Sequence, residues 1–382
     1  MALLRARLAT AAVAIVTVVS SLILGCGTQR DQYPTAATVL VWVPGGVSDE
    51  LASSVEELEE VTHTSEVLGG TLDLVSSTNA AGETIDQTTP GRTIPLDTLA
   101  YDPTTFSVFT DASTEETLSS LKPDEAILGA TSARLRGSGV GGSLLLASGR
   151  SLTIRAVLDD HRVAGAEVVV SPATALELNV DTRRFVLARF GGWPGDAVAR
   201  IRSGISSKEA LRVVDANDTS WLRHGDQVAP QSIVKQRFGE FSARPVEGGR
   251  LSIDPMWVDA NIVTETVPLL GAVTCHRLMI APLRRALSEL EAEGHGETLD
   301  RDGYSGCFYP RHIDGLPYLS RHSWGIALDL NIVDDERGRD VDFAPELVSA
   351  MKRSGFRNGV DWPEPDPAHF EWHPALTEST SD

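Results

Sequence analysis

The stretch SRHSWGIALDLN, at residues 320–331, brings a histidine, a glycine and an aspartate together among small and apolar residues. The alternation of residue types predicts a strand from Gly325 to Asn331, with one face in the core and the other, which includes Asp329, lining a cleft. His322 precedes this strand, and Gly325 permits a turn that returns the histidine over the cleft. The residues predicted to face the core are Ile326, Leu328 and Leu330.

His322 and Asp329 are thereby placed where both side chains can bind one metal ion, and a zinc peptidase site needs a third protein ligand. The tail DPAHFEWH, at residues 366–373, offers two more histidines. His369 is followed by Phe370 and not by the glutamate of a helical HExxH motif, and prolines interrupt this segment. We therefore predict that His369 alone is the third ligand.

A zinc peptidase also needs a general base, commonly a carboxylate, that takes a proton from the attacking water. Asp366 stands three residues before His369, and we predict that Asp366 is this base. Glu364 and Glu371, in the same tail, are the alternatives.

These residues form two motifs. The first matches in full the SxHxxGxAxD motif of the zinc D-Ala-D-Ala carboxypeptidases, peptidase family M15, and Asp366-x-x-His369-Phe370-Glu371 resembles the second motif of that family. The chain resembles the branch that includes VanY-like carboxypeptidases and phage L-alanyl-D-glutamate endopeptidases, over roughly residues 250–376. The residues of the first motif are Ser320, His322, Gly325, Ala327 and Asp329.

The resemblance implies a Zn²⁺ ion bound by His322, Asp329 and His369, with Asp366 as the catalytic base. It further implies an arginine upstream of the first motif that holds the substrate and the developing oxyanion.

Arg311, in CFYPRHIDG, is the candidate for this arginine, and Arg321 is the alternative. Ser320 is expected to orient the substrate or a ligand.

The expected fold class is α+β. Residues 246–376 would form a DD-peptidase/hedgehog-like zinc domain, with an antiparallel sheet and helices mainly on one face, and 377–382 a short tail. Residues 37–245 would form a separate α/β and β-rich domain. In this region, GATSARLRGSGVGG at residues 129–142 and the strands after it resemble the extracytoplasmic domains of ABC-type permeases.

Local patterns predict the main elements. TVLVWV at 38–43 and TLDLVSS at 71–77 read as strands around a helix that Ser48 caps, which is a β-α-β beginning. A helix over 113–121 has a capping box at its start. Further helices are predicted over 206–214, 276–294 and 343–356, with a domain boundary within 243–254.

The N-terminus has the pattern of an export signal. Residues 1–25 begin with a short basic segment and continue as an apolar run, and Gly25-Cys26 resembles the lipobox of bacterial lipoproteins. We expect a lipid on Cys26, a tether over 26–36, and an extracytoplasmic location at the membrane for the rest of the chain. An uncleaved transmembrane helix of about 18 apolar residues is the alternative.

Two cysteines, Cys275 and Cys307, follow Cys26. In an exported chain such a pair is typical of a disulfide, with two unpaired buried thiols as the alternative.

The formal net charge of −20 argues against nucleic acid as a partner, because phosphate binding needs a basic surface. The predicted function is zinc-dependent hydrolysis of peptidoglycan stem peptides. The alternatives are a non-catalytic, metal-containing module that binds the cell wall, and an accessory protein of a membrane permease that residues 37–245 would contact.

Overall fold

A computed structural model describes most of the chain between Ala37 and His373. The described residues are 37–43, 45–191, 199, 203, 212–215, 229–332, 344–360, 362 and 365–373. The predictions for the signal peptide, Cys26, the tether, Glu364 and the tail 377–382 lie outside them. In the described part of the chain, no helix is long and apolar enough to cross a membrane.

The N-terminal lobe comprises the described residues from Ala37 to Asp215. In chain order its elements are β1 (Ala37–Trp42), α1 (Asp49–Glu56), β2 (Val61–Thr78), β3 (Thr84–Gln87), β4 (Ile94–Tyr101), α2 (Pro103–Phe106), α3 (Ala112–Ser119), β5 (Glu125–Gly129), α4 (Ala130–Arg136), β6 (Ser143–Leu146), β7 (Ser151–Leu158), β8 (Val168–Val170), α5 (Pro172–Glu177), β9 (Thr182–Phe190) and β10 (Arg212–Asp215).

Six of these strands form a closed ring of hydrogen-bonded pairs, in the order β2, β4, β8, β5, β7, β6, with β6 pairing back onto β2. The β4–β8 and β5–β7 pairs are parallel, and the other four pairs are antiparallel. Alternate residues of these strands, such as Leu72 and Leu74 in β2 or Leu144 and Leu146 in β6, pack into one core. The apolar side chains at alternate positions of these strands therefore fill the interior of the ring.

The first half of β2 extends this sheet outward. It pairs with β9, β9 pairs with β1, and β1 pairs with β10, all antiparallel. Strands β1 and β2 consequently run parallel with β9 between them, so the β-α-β beginning is present with a strand inserted into it. Ser48 caps α1, since its Oγ accepts a hydrogen bond from Leu51 N at 3.2 Å.

Two local predictions need correction. Helix α3 begins at Ala112, and its N-cap is Asp111, two residues before the predicted cap Ser113; Asp111 accepts hydrogen bonds from the backbone of Ser113 and Thr114. The predicted helix over 206–214 ends in a strand, since residues 212–214 belong to β10 and pair with β1; the earlier residues of that segment lie outside the described part.

The C-terminal lobe comprises the described residues from Ala229 to His373. Its elements are α6 (Gln231–Phe238), β11 (Ala243–Pro245), β12 (Leu251–Ile253), α7 (Pro255–Asn261), β13 (Ile262–Val267), β14 (Gly271–His276), α8 (Arg277–Ala292), β15 (Ala327–Asp329), α9 (Pro345–Arg353), β16 (Phe356–Gly359) and β17 (Asp366–Trp372).

A three-stranded antiparallel sheet in the order β15, β17, β16 holds the residues of both sequence motifs. Helices α8 and α9 pack on each other beside it, and their apolar residues join one core with Leu328, Phe356 and Phe370. The mixed α/β fold expected for the chain is confirmed. The C-terminal core also takes in Ala229 and the apolar face of α6, which lie before the boundary predicted at 246.

Helix α6 contacts both lobes. Val234 and Phe238 pack into the C-terminal core. Gln231 and Lys235 lie on another face of the helix, and both donate hydrogen bonds to the carbonyl of Pro95 in the N-terminal lobe, at 3.0 Å and 2.6 Å. One short helix therefore fastens the two lobes together.

Four charged side chains, Arg136, Glu167, Lys235 and Glu240, form a buried interlobe cluster. Lys235 Nζ lies 2.8 Å from Glu167 Oε1 and 3.0 Å from Glu240 Oε2, and Arg136 pairs with Glu240. The side chains of Lys235 and Glu167 are 1% and 0% exposed. Arg136 also lies 3.3 Å from the partly exposed carboxylate of Asp86, so each of the two cations is paired with carboxylates.

The hairpin that contains Arg311 lies against the N-terminal lobe. His312 bridges to Leu319, and Thr71 Oγ1 donates to the carbonyl of Pro317 at 2.8 Å. The guanidinium of Arg184 stacks 4.1 Å above the ring of Tyr318.

Candidate metal centre

His322 lies on a single turn of 3₁₀-helix, Arg321–Trp324, that the motif residues shape. Ser320 caps this turn, since its Oγ accepts from His322 N at 3.3 Å. Gly325 ends it with φ 66°, in the left-handed region that favours glycine, and a Cβ there would lie 2.8 Å from His276 N. The glycine of the motif is thus required by both backbone angle and space.

Asp329 and His369 face each other across the sheet. In the β15–β17 register Asp329 pairs with His369. The backbone bond from Leu330 N to Ala368 O, at 2.9 Å, shows that Asp329 and His369 form a non-hydrogen-bonded pair. Side chains of such pairs approach each other more closely than those of hydrogen-bonded pairs. Two residues forty positions apart are thereby brought together on one face.

The strand of the first motif is shorter than expected, covering Ala327–Asp329 only. Ile326, Leu328 and Leu330 are fully buried, as the alternation predicts. The same alternation predicts that Asn331 faces the cleft together with Asp329, and the structure shows otherwise. Asn331 has φ 53°, and its side-chain amide donates to Thr298 O and accepts from Asp300 N, so it holds the neighbouring loop.

The ligand triad, His322, Asp329 and His369, places three donor atoms within 4.8 Å of one another. His322 Nε2 lies 3.2 Å from Asp329 Oδ1, His369 Nδ1 lies 3.0 Å from the same oxygen, and the two nitrogens are 3.3 Å apart. Ligand atoms about 2.0–2.1 Å from a tetrahedral ion lie roughly 3.3 Å from each other. The triad therefore has the donor types and the spacing that fit a zinc ion.

The orientation of the His322 ring is set by a contact at Nδ1, the ring nitrogen that does not face the other two members of the triad. Its Nδ1 lies 3.0 Å from the carbonyl oxygen of Cys307, and a donated hydrogen bond there leaves the Nε2 lone pair for a metal. Cys307 is joined to Cys275 by a disulfide. The disulfide thus fixes the position of the Cys307 carbonyl, which determines the tautomer of His322.

The electrostatics of the triad favour charge pairing. Burial opposes ionisation of Asp329, but hydrogen bonds from His322 and His369 outweigh it and hold the pKa of Asp329 below its usual range. Burial lowers the pKa of His369, but the hydrogen bond and charge of Asp329, with the charge of Asp366, more than offset it and raise that pKa. The site thus attracts positive charge.

Asp366 is half-buried at the start of β17, close enough to His369 for their charges to interact. The alternative acid Glu371 is buried and already paired, with Arg321 Nε at 3.2 Å and His373 Nε2 at 3.3 Å. Glu371 is therefore held as an internal counter-ion. Glu364 lies outside the described residues.

The two candidate arginines differ in surroundings. Arg311 is partly exposed, with Nη1 3.6 Å from Asp314 Oδ1 and a hydrogen bond to the carbonyl of His312. Arg321 is buried, and besides its pair with Glu371 it donates to Ala229 O at 2.6 Å. Of the two, Arg311 is the one accessible to a substrate.

Three contributors to the site were not predicted from the sequence. The carbonyl of Cys307 orients His322, the ring of Trp362 packs 5.1 Å from that of His369, and the Asn358 side chain donates to the carbonyl of His369 at 3.1 Å. Residue type identifies none of these roles. Only the Asn358-Gly359 dipeptide gives a signal, as a turn marker at the end of a strand.

Comparisons with known proteins agree with the motifs. Residues 314–372 match the family model described as D-alanyl-D-alanine carboxypeptidase. No curated protein matches the chain. Among solved structures, the chain is similar to the extracellular domain of the noncanonic ABC-type transporter YknZ from Gram-positive bacteria. The identity is 11% over 47% of this chain and 100% of that chain, with a TM-score of 0.28.

That structural similarity is too low to support an argument, so the permease-like character of residues 37–245 stays a prediction. The family match lies on the segment that holds both motifs and the whole ligand triad. The chain thus contains a C-terminal region of the D-alanyl-D-alanine carboxypeptidase family, peptidase family M15, as its two motifs predicted.

Proposed function

We propose that this chain is a zinc-dependent peptidase that hydrolyses peptidoglycan stem peptides in the manner of D-Ala-D-Ala carboxypeptidases. The observation that carries the proposal is the ligand triad, whose three donor atoms lie 3.0–3.3 Å apart within a segment that matches the peptidase family.

His322, Asp329 and His369 would hold the ion. When bound, zinc supplies Lewis-acid chemistry that polarises a carbonyl and makes water more acidic. The Asp366 carboxylate takes the proton from the attacking water and returns it to the leaving amine. The paired state of Glu371 supports this assignment, because a carboxylate already bound to Arg321 and His373 is a poorer proton acceptor.

Arg311 would bind the substrate and the oxyanion. Its present ion pair is with Asp314, whose side chain is 80% exposed. Exposed pairs of this kind are worth about 0.2–1 kcal/mol, so a bound substrate can displace Asp314 at little cost.

The test combines metal analysis of the purified chain with digestion of defined muropeptides, the products being weighed by mass spectrometry. We expect one zinc per chain and release of a terminal residue or a peptide from the stem. Asp366→Asn should retain zinc and lower kcat by about 100- to 10,000-fold. A chain without zinc, or an Asp366→Asn variant of wild-type activity, would overturn the site assignment.

The alternatives give different results in the same assay. A wall-binding module would hold zinc and retain muropeptides without cleaving them. An accessory protein of a permease would co-purify with a membrane protein through residues 37–245, and a pulldown that recovers only wall fragments would contradict it.

We further propose that the chain is extracytoplasmic and anchored through a lipid on Cys26. Mass spectrometry of the protein from the membrane fraction should then show a chain that begins at an acylated Cys26. A chain that begins at Met1 and carries no acyl group would instead indicate the uncleaved helix.

A further inference from the structure

The pairing register between β17 and β16 shifts next to His369, one of the three proposed metal ligands. Phe356, Arg357 and Asn358 pair in regular register with Trp372, Glu371 and Phe370, but Gly359 then pairs with Asp366. Residues 367–369 of β17 therefore lie opposite no residue of β16. On the other edge of β17 the ladder continues regularly, since Ala368 O accepts from Leu330 N at 2.9 Å.

The side chain of Asn358 replaces the missing main-chain partners. Its Nδ2 donates to Pro367 O at 2.7 Å and to His369 O at 3.1 Å, and its Oδ1 accepts from Val360 N at 3.1 Å. Asn358 is 4% exposed, so water competes little for these bonds. One amide thus spans the two carbonyls that the register change leaves at this edge.

Gly359 completes the arrangement. A Cβ on this residue would lie 2.4 Å from Asp366 O and 3.1 Å from Trp362 Cε3, so only glycine allows the start of β17 to approach so closely. Asn358 and Gly359 consequently determine where the segment from Asp366 to His369 lies relative to Asp329.

We propose that Asn358 is a positioning residue for the metal centre, acting through the backbone of residues 367–369 on His369 and, further along the strand, on Asp366. The part that concerns Asp366 rests on the proposed function, whereas the part that concerns His369 requires only metal binding. Loss of residues that orient metal ligands commonly lowers metal affinity by about 10- to 100-fold.

The experiment measures Zn²⁺ affinity of the full chain by competition with a chromophoric chelator, and records the visible spectrum of the Co²⁺-loaded protein. Asn358→Asp keeps the shape of the side chain but replaces the donating Nδ2 group with an oxygen, which cannot donate to the carbonyls of Pro367 and His369. We expect a 10- to 100-fold weaker affinity and an altered cobalt spectrum. Asn261→Asp is the matched control, because Asn261 also donates to a backbone carbonyl, that of Trp257 at 2.9 Å, within helix α7, which holds no residue of the ligand triad.

A merely structural role for Asn358 would leave the cobalt spectrum of the folded protein unchanged. Should Asn358→Asp not fold, Gly359→Ala tests the same backbone segment, and the same loss of affinity is expected. Wild-type affinity in every folded variant would overturn the inference. A wild-type chain that binds zinc but cleaves no muropeptide would overturn the proposed function and leave the positioning role intact. A wild-type chain that binds no metal would overturn both.

Discussion

The interlobe cluster and the ligand triad are both buried groups of ionisable side chains, yet they are built on opposite principles. The interlobe cluster sets Arg136 and Lys235 against Glu167 and Glu240, so its charges are matched within the protein. The ligand triad sets one carboxylate against two imidazoles, which are neutral when they bind a metal.

The difference separates a structural from a functional arrangement. Glu167 accepts hydrogen bonds across the lobe boundary from Gln231 Nε2 and Lys235 Nζ, both at 2.8 Å, and one from Asp97 N of its own lobe at 2.9 Å. The donor atoms of the triad instead converge on one point at zinc spacing. Removing a charge should therefore affect folding in the interlobe cluster and metal binding in the triad.

The largest effect is expected from Glu167→Gln. Removing this carboxylate leaves the charges of Lys235 and Arg136 buried with one partner fewer, so the free energy of unfolding should fall by about 3–5 kcal/mol. Denaturant unfolding measures this loss, and Zn²⁺ affinity of the folded protein should stay within about twofold. The matched control is Glu177→Gln, whose ion pair with Arg150 has a 62% exposed carboxylate; it should cost about 1 kcal/mol or less. Equal losses in both variants would contradict the comparison.

Asp329→Asn should show the converse. Loss of a charged ligand is expected to weaken Zn²⁺ binding by at least about 100-fold, more than the loss of an orienting residue does. The free energy of unfolding of the metal-free protein should fall by about 1.5–3 kcal/mol, less than in Glu167→Gln, because the amide oxygen still accepts a hydrogen bond but the charge that pairs with His322 and His369 is lost. Isothermal titration and denaturant unfolding give the two numbers, with the exposed Asp259→Asn as control. Unchanged zinc affinity would remove Asp329 from the site.

Gly325→Ala should affect both properties. An L-residue at φ 66° with its Cβ 2.8 Å from His276 N is strained, at a cost of about 1–3 kcal/mol. Because Gly325 ends the turn that holds His322, zinc affinity should fall as well. Gly82→Ala, at a positive φ with open space around it, is the control for backbone strain alone. A loss of stability without any loss of affinity would show that the turn tolerates the shift.

The smallest effect concerns His276, a buried histidine outside both groups. Burial lowers its pKa to about 4, and its neutral ring caps α8 by accepting from Leu278 N. The unfolded chain therefore binds this proton first, and stability present above pH 6.5 is lost as the pH falls toward 4. His276→Asn keeps a capping side chain, so it should flatten the pH dependence in this window by up to about 1 kcal/mol per pH unit. If the pH dependence of the free energy of unfolding were unchanged in this variant, a group other than His276 would be responsible for it.

Much of the candidate site was predictable because motif residues act locally. Ser320 and Gly325 shape the turn of His322 through bonds and angles within six residues, and the apolar alternation around Asp329 identifies its buried neighbours. The prediction that Asp329 and His369 share one site came from the order of the two motifs and the resemblance to a family, whereas their pairing across β15 and β17 was not predicted.

Other features depended on contacts that no local pattern contains. The closure of the six-stranded ring, the insertion of β9 between β1 and β2, and the strand at residues 212–215 all result from pairing between distant segments. The shortening of the predicted strand at Asn331 results from its bonds to Thr298 and Asp300, which the chain brings together only on folding.

By itself, the sequence predicted the chemical character of the site, namely two motifs, three candidate ligands and a candidate base, because donor type and short-range spacing are properties of the chain. Only the tertiary structure decided which carbonyl orients His322, which amide holds β17, and which of the competing carboxylates and arginines are already paired. The physical reason is that hydrogen-bond partners and burial are set by residues far apart in the chain. Glu371 and Asp366 look equivalent in the tail, and their surroundings alone make one a counter-ion and leave the other as the candidate base.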